Sequence, residues 1–278
     1  MYQNQPQTPY GRNPNPYPPQ PYGAPPQYGQ AQGVPADQYY GDGQFADPAM
    51  VAHAGDLSNP AVAAFARKVY LYFATSLATA MAAAFGGTLA VDHFIAQNNP
   101  GAVNGLWLGG MITFFVSYLV VVFTRKNHSP LKTALLYVFA GSAGAMLAPL
   151  LMAHVANGMG MAIVLALGVA TVTFFGLTVY TFTTGKDFRG LGSYLFAGVL
   201  VLIGFILISM FVPFSSPLQM VLMGAGMLLF VGFTLFDTSR VVRDYYVAND
   251  AVSAAINLLY DFIMLFRYAL YFLGSNRN

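Results

Sequence analysis

The chain has 278 residues, 56% of them hydrophobic and only 8% charged. An ordinary soluble domain carries about 25% charged residues, so a water-facing surface cannot be built from this composition, and a membrane protein is expected. Cysteine is absent, which excludes disulfides, thiolate metal sites and a thiol nucleophile, and the net charge of +2 comes from basic residues scattered in short loops rather than gathered for nucleic acid.

The first fifty residues contain eleven Pro, nine Gln and seven Tyr and almost no aliphatics. Such a stretch cannot bury enough apolar surface to offset the entropy of ordering, so residues 1–58 are expected to form a disordered tail with some polyproline character. No basic stretch leads into an apolar one, so the tail does not read as a signal peptide. It would serve as a solvated spacer or as a docking site for a Pro- or Tyr-recognising partner. Residues 59–278 then form the membrane domain.

Crossing about 30 Å of hydrocarbon takes about 20 apolar residues in a helix. Six segments qualify, at 69–91, 105–123, 133–155, 160–183, 191–212 and 218–239, and a seventh at 252–273. Turn-forming residues separate them, among them Asn98-Asn99-Pro100-Gly101, Ser129-Pro130, Asn157-Gly158, Gly185-Lys186-Asp187 and Ser215-Ser216-Pro217. The fold class expected is all-α, with seven transmembrane helices. Arg67 and Lys68 precede the first span, and Arg125, Lys126 and Lys132 follow the second. Lys186 and Arg189 follow the fourth, and Arg240 and Arg243 the sixth. The loops after spans one, three and five have no Lys or Arg, so the positive-inside rule places the N-terminus and the even-numbered loops in the cytoplasm of a cell-membrane protein. Seven full spans put the C-terminus outside; a re-entrant seventh segment would return it inside. Small residues at Ala140-Gly141-Ser142-Ala143-Gly144 and Gly224-Ala225-Gly226 suit close helix contact.

Two acids remain within the spans, Asp237 near the basic end of the sixth and Asp261 about ten residues into the seventh. A charge at the centre of a bilayer-spanning helix costs about 2.5–3.5 kcal/mol even on the lenient insertion scale. Two carboxylates close together in low dielectric cannot both ionise cheaply, so they would share a proton and titrate as a unit. Intramembrane acids facing a bundle interior commonly mark an ion or proton path. Plainer roles stand beside this: Asp237 pairing with Arg240 at i+3, and a protonated Asp261 bonding Asn257 one turn earlier. Arg267 lies about 240° around the helix from Asp261, so it would snorkel or meet another helix. Arg125 closes the second span at the depth of Asp237 and is a candidate latch on the acid pair, or an ordinary interfacial anchor.

The runs FTLFDTSRVV and LLYDFIMLFRYALYFLG resemble the Bax inhibitor family, the transmembrane Bax-inhibitor-motif proteins. LTVYTFTTGKDFRGLGSYLFAG (177–198) is similar to that family's exit from the fourth span, and AGSAGAMLAPL to its third span. The likeness covers about 62–274. It implies two layers of helices wrapped around a central C-terminal helix, and an aspartate pair that gates a pH-sensitive calcium leak. Matched residue by residue, the pair falls on Asp237 and Asp261, which would be the contacts for permeating calcium, and the arginine latch falls on Arg125. Many members carry an acid in the second span, where residues 105–123 here have none. No enzymatic activity and no cofactor are implied. Bacterial relatives are also similar to proteins that modulate a membrane-anchored ATP-dependent protease, a role that would use the tail and a protein partner.

Other chemistries fit less well. An intramembrane aspartyl protease needs Tyr-Asp, present as Tyr260-Asp261, and Gly-x-Gly-Asp, where this chain has Thr234-Leu235-Phe236 before Asp237. A rhomboid needs Gly-x-Ser-Gly, and Gly141-Ser142-Ala143-Gly144 has another order. A retinal pump needs a mid-helix lysine, which no span carries.

Overall fold

A computed structural model describes residues 48–124, 130–209, 211–212 and 214–275. In chain order these form α1 Pro48–His53, α2 Pro60–Ala96, α3 Pro100–Phe123, α4 Pro130–Ala156 and α5 Gly160–Thr184. A 3₁₀ turn at Arg189–Leu191 follows, then α6 Gly192–Ser209, α7 Ser216–Val241, α8 Asp244–Val247 and α9 Ala251–Ser275. No strand occurs among the described residues. Seven of the helices are long and apolar enough to cross a membrane.

Local sequence sets the starts and stops. Pro60 and Pro100 open α2 and α3, where their missing N–H is no loss, and Asn59 and Asn99 cap the same helices. The cap carboxamides accept from Ala61 N at 2.9 Å and Ala102 N at 3.1 Å. Gly185 ends α5 at φ 61°, a left-handed turn that a side chain would strain.

The first span differs from its expected limits. α2 begins at Pro60, so Arg67 and Lys68 lie within it rather than before it. Val62, Phe65, Ala66, Val69 and Phe73 are buried on one face at helical spacing, while Arg67 and Lys68 are exposed on the other. An amphipathic extension of this kind escapes a search for uniformly apolar runs. The fifth span, expected to reach 212, stops at Ser209.

α9 carries the most buried of the spans. It packs against α2, α3, α4, α5, α7 and α8, and 56% of its apolar window is buried inside the protein, against 6% for the span of α6. Helices at the edge present Leu200, Val201 and Ile206 outward as lipid-facing surface, whereas α9 keeps its apolar side chains for its neighbours. It runs alongside α4 from end to end. Lys132, in the first turn of α4, pairs with Asp250 just before α9. At the other end the His154 ring lies over Gly274, where an added Cβ would meet Nε2 at 2.8 Å. The seventh helix therefore runs the length of α4 and is itself long and apolar enough to cross a membrane.

Close helix contacts resolve the small-residue runs. A Cβ on Gly144 would lie 2.1 Å from the Ala80 carbonyl oxygen, so α2 and α4 touch backbone to backbone there. Gly226 leaves room for the Tyr268 ring, whereas Gly141 and Gly224 face open space. Phe73 stacks on Phe174 at 4.9 Å, and Phe262 of α9 meets both edge-on at 6.0 and 5.6 Å. This aromatic layer lies one turn from Tyr70 and Thr178 and fixes the rotation of α9.

Residues 48–58 are not all tail: α1 and the turn after it dock on the α7–α8 corner, with Gly55 N donating to Val242 O at 2.7 Å. Met50, Ala54 and Leu57 pack against the core. The expected tail up to residue 47 lies outside the described residues.

Candidate functional site

The two spans that carry the acids are joined by a short corner and pack along each other. Asp237 is in the penultimate turn of α7 and Asp261 near the middle of α9, with 6% and 1% of their surfaces exposed. Each carboxylate lies within electrostatic reach of the other. The hydroxyl of Tyr118, on α3, is within reach of both and of Arg240.

Their partners differ. Arg240 Nη1 donates to Asp237 Oδ1 at 3.3 Å, the i+3 pair foreseen from the sequence. Among the described residues Asp261 has no cation beside it, and its buried Oδ2 has no hydrogen-bond partner. The bond foreseen from Asn257 does not form, because Asn257 Nδ2 donates instead to the Tyr245 hydroxyl. A tyrosine from the α8 corner takes the amide that sequence spacing offered to the aspartate. Arg267 stacks over Tyr271 of its own helix, its guanidinium 5.7 Å from the ring centroid. Arg125, the candidate latch, lies outside the described residues.

Three further buried oxygens lack a hydrogen bond of ordinary geometry: Tyr70 Oη, Thr178 Oγ1 and Thr238 Oγ1. They come from α2, α5 and α7, and the tyrosine hydroxyl lies beside both threonines. Thr238 follows Asp237 directly in α7. Buried polar atoms left unpaired are costly, and each calls for an explanation.

Toward the end of the bundle that carries the arginines and lysines, a chain of ion pairs begins at Asp237. Arg240 Nε donates to Asp244 Oδ2 at 3.1 Å, and Arg189 Nη1 to Asp244 Oδ1 at 2.7 Å. Arg189 also clasps Asp187, with Nη2 2.7 Å from Oδ2, and Arg243 Nε stands 3.7 Å from the same oxygen. Ser239 Oγ accepts from Phe188 N and donates to Lys186 O, tying the α5–α6 loop to α7. Partial burial raises the Asp187 carboxyl, but the hydrogen bonds and charge of Arg189 with the charge of Arg243 outweigh it. Asp187 is held below the ordinary carboxylate value. A separate pair, Lys132 Nζ to Asp250 Oδ2 at 2.6 Å, anchors the start of α9, where Asp250 Oδ1 also accepts from Ser253 N at 3.1 Å.

Sequence reading brought Asp237 and Asp261 together but missed these networks. Lys132 and Asp250 are 118 residues apart, and no local spacing signals the contact. The Asp187-x-Arg189 spacing did carry a signal for a loop ion pair.

The described residues gather no group of three or more His, Cys, Asp or Glu that could hold a metal ion. Calcium takes 6–8 oxygen ligands, more than two carboxylates supply. The two carboxylates could therefore supply only part of a calcium shell.

Residues 62–278 match the family described as inhibitor of apoptosis-promoting Bax1. The chain is 30% identical over 212 residues to an uncharacterised protein of Campylobacter jejuni, covering 76% of this chain and 88% of the relative. It is 34% identical over 164 residues to an uncharacterised membrane protein of Vibrio cholerae, covering 59% and 72%. It is 32% identical over 221 residues to Bax inhibitor 1 of Schizosaccharomyces pombe, covering 77% of each.

Proposed function

The chain belongs to the Bax inhibitor family, and on that footing we propose that this multi-pass membrane protein is a pH-sensitive calcium leak controlled by Asp237 and Asp261, without enzymatic activity. One observation carries the reading. Among the described residues a fully buried carboxylate oxygen of Asp261 has no partner, while the neighbouring Asp237 already has a cation.

With Asp261 protonated, Asp237 and Arg240 form a neutral pair, and the buried site holds no net charge. Deprotonation adds a second carboxylate that Arg240 cannot also neutralise. Two adjacent ionised acids repel and offer hard oxygen ligands to a divalent cation. Acid therefore weakens the hold of the pair on calcium, because protons and metal compete for the same oxygens. The bilayer is the surrounding partner. The protein sits in the cell membrane with its N-terminus in the cytoplasm, which the position of the loop arginines and lysines supports.

The test is calcium flux into proteoliposomes holding only this protein, measured across pH. Asp237→Asn and Asp261→Asn keep size and hydrogen bonding but remove titration. Each flattens the pH dependence, and the double variant adds little, because the two act as one unit. A wild-type pH profile in both single variants overturns the reading.

A further inference from the structure

Asp237 is the buried end of a chain of alternating charges that surfaces at the α5–α6 loop. In order it runs Asp237, Arg240, Asp244, Arg189, Asp187 and Arg243, with successive contacts of 3.3, 3.1, 2.7, 2.7 and 3.7 Å. Three acids alternate with three arginines. The outer acid, Asp187, has 43% of its side chain exposed, while Asp237 is inside the bundle. Arg240 is shared: Nη1 serves Asp237 and Nε serves Asp244. Arg189 is shared in the same way between Asp244 and Asp187. The guanidinium of Arg240 is also fixed between the rings of Phe236 and Tyr245, at 5.2 and 4.7 Å.

We propose that this chain is a relay through which the α5–α6 loop sets the proton affinity of the aspartate pair, with Asp244, Arg189 and Asp187 as positioning residues. The proposal rests on the reading of Asp237 and Asp261 as a titrating pair. A shared cation divides its stabilisation between its anions, so strengthening one contact in the chain weakens the next. The effect on Asp237 therefore alternates in sign along the chain. Asp244→Asn leaves Arg240 wholly to Asp237 and favours its ionised form. Arg189→Gln turns Asp244 back onto Arg240 and disfavours it. Asp187→Asn commits Arg189 to Asp244, releases Arg240, and again favours ionised Asp237.

Among the described residues, the remaining groups facing Asp237 are left unaltered by all three variants. They are Asp261 from α9, Tyr245 from the α8 corner and Tyr118 from α3. Tyr70 from α2 lies beside the adjacent Thr238 and beside Thr178 of α5. α6 meets this stretch through Gly192 against Phe236. None is a member of the relay.

The experiment is an infrared pH titration of the full chain in liposomes, following the C=O stretch of a protonated buried carboxyl, with calcium flux measured on the same samples. The band of interest is the one lost in Asp237→Asn or Asp261→Asn. Asp244→Asn moves its midpoint to lower pH and Arg189→Gln moves it to higher pH, each by about half a unit, a threefold change in proton affinity. Asp187→Asn moves it to lower pH by less, and salt erodes that shift because the outer acid is exposed. Arg189→Lys keeps the charge and restores most of the wild-type midpoint.

Midpoints that stay fixed, or that all move in one direction, overturn the relay and leave a merely structural clamp. Absence of a band that depends on the aspartates overturns it as well. A band that shifts as described in a protein without calcium flux upholds the relay and overturns the leak.

Discussion

Lys132 Nζ lies 2.6 Å from Asp250 Oδ2, and the lysine side chain, 2% exposed, is among the most buried polar groups of the protein. Lys132 also reaches the Thr124 carbonyl at 3.4 Å, so one ammonium joins the end of α3, the start of α4 and the N-cap of α9. Removing one member of a buried pair leaves the other charge without compensation, which costs about 3–5 kcal/mol. Lys132→Ala is therefore expected to lower thermal stability in detergent sharply. Lys132→Met combined with Asp250→Asn removes both charges and recovers much of the loss. A double variant no more stable than the single one would show that the pair is not what holds α9 at this end.

Seven spans and the acid pair were legible in the sequence because each leaves a local signature, a run of apolar residues or a charge within one. What was not legible has a common physical origin. The N-terminal turns of α2 are amphipathic and fall below any test for uniform apolarity. The Lys132–Asp250 and Arg189–Asp244 pairs join residues 118 and 55 apart in the chain, and the Tyr245–Asn257 contact reaches from the α8 corner into α9. Their geometry is set by how the helices pack rather than by spacing. Asn257 shows the hazard directly: one turn from Asp261 it looks like a local partner, yet the packed tyrosine of α8 takes it.

Orientation can be checked by labelling, which is convenient in a protein without cysteine. Asn99→Cys, between α2 and α3, is expected to react with an impermeant maleimide from outside, and Thr184→Cys, at the end of α5, is not. Ser275→Cys, at the end of α9, is expected to behave like Asn99→Cys, because His154 and Gly274 meet at the end of the bundle opposite Lys132 and Asp250. Protection of Ser275→Cys would contradict a full seventh span, and a reversed pattern at the other two sites would invert the topology.

Two truncations separate tail from docked segment. Deleting residues 1–47 is expected to leave thermal stability nearly unchanged, since that composition supplies little apolar packing. Deleting residues 1–58 removes α1, the Gly55–Val242 hydrogen bond and the packing of Met50, Ala54 and Leu57. It is expected to lower the melting temperature by several degrees, on the order of 1–2 kcal/mol of lost burial. Equal melting temperatures for the two truncations would show that α1 contributes nothing to the bundle.

The last expectation concerns pH and separates the loop network from the acid pair. Asp187 is held below its ordinary value of 3.8 despite partial burial, by Arg189 first and Arg243 second. A carboxyl whose folded value is depressed contributes stability that is fully present above its unfolded value and is lost as pH falls through the folded one. The contribution of Asp187 is therefore intact at neutral pH and through mild acid, and disappears only below about pH 4. On the proposed reading, any change in calcium flux between pH 5 and 8 then arises from the aspartate pair rather than from Asp187. Thermal melts of wild type and Asp187→Asn at stepped pH test this. The stability gap between them is expected to stay constant from pH 8 to about pH 5 and to close on further acidification. A gap that closes already near neutral pH would mean that Asp187 itself titrates there, and the pH response of the protein would belong to the loop rather than to Asp237 and Asp261.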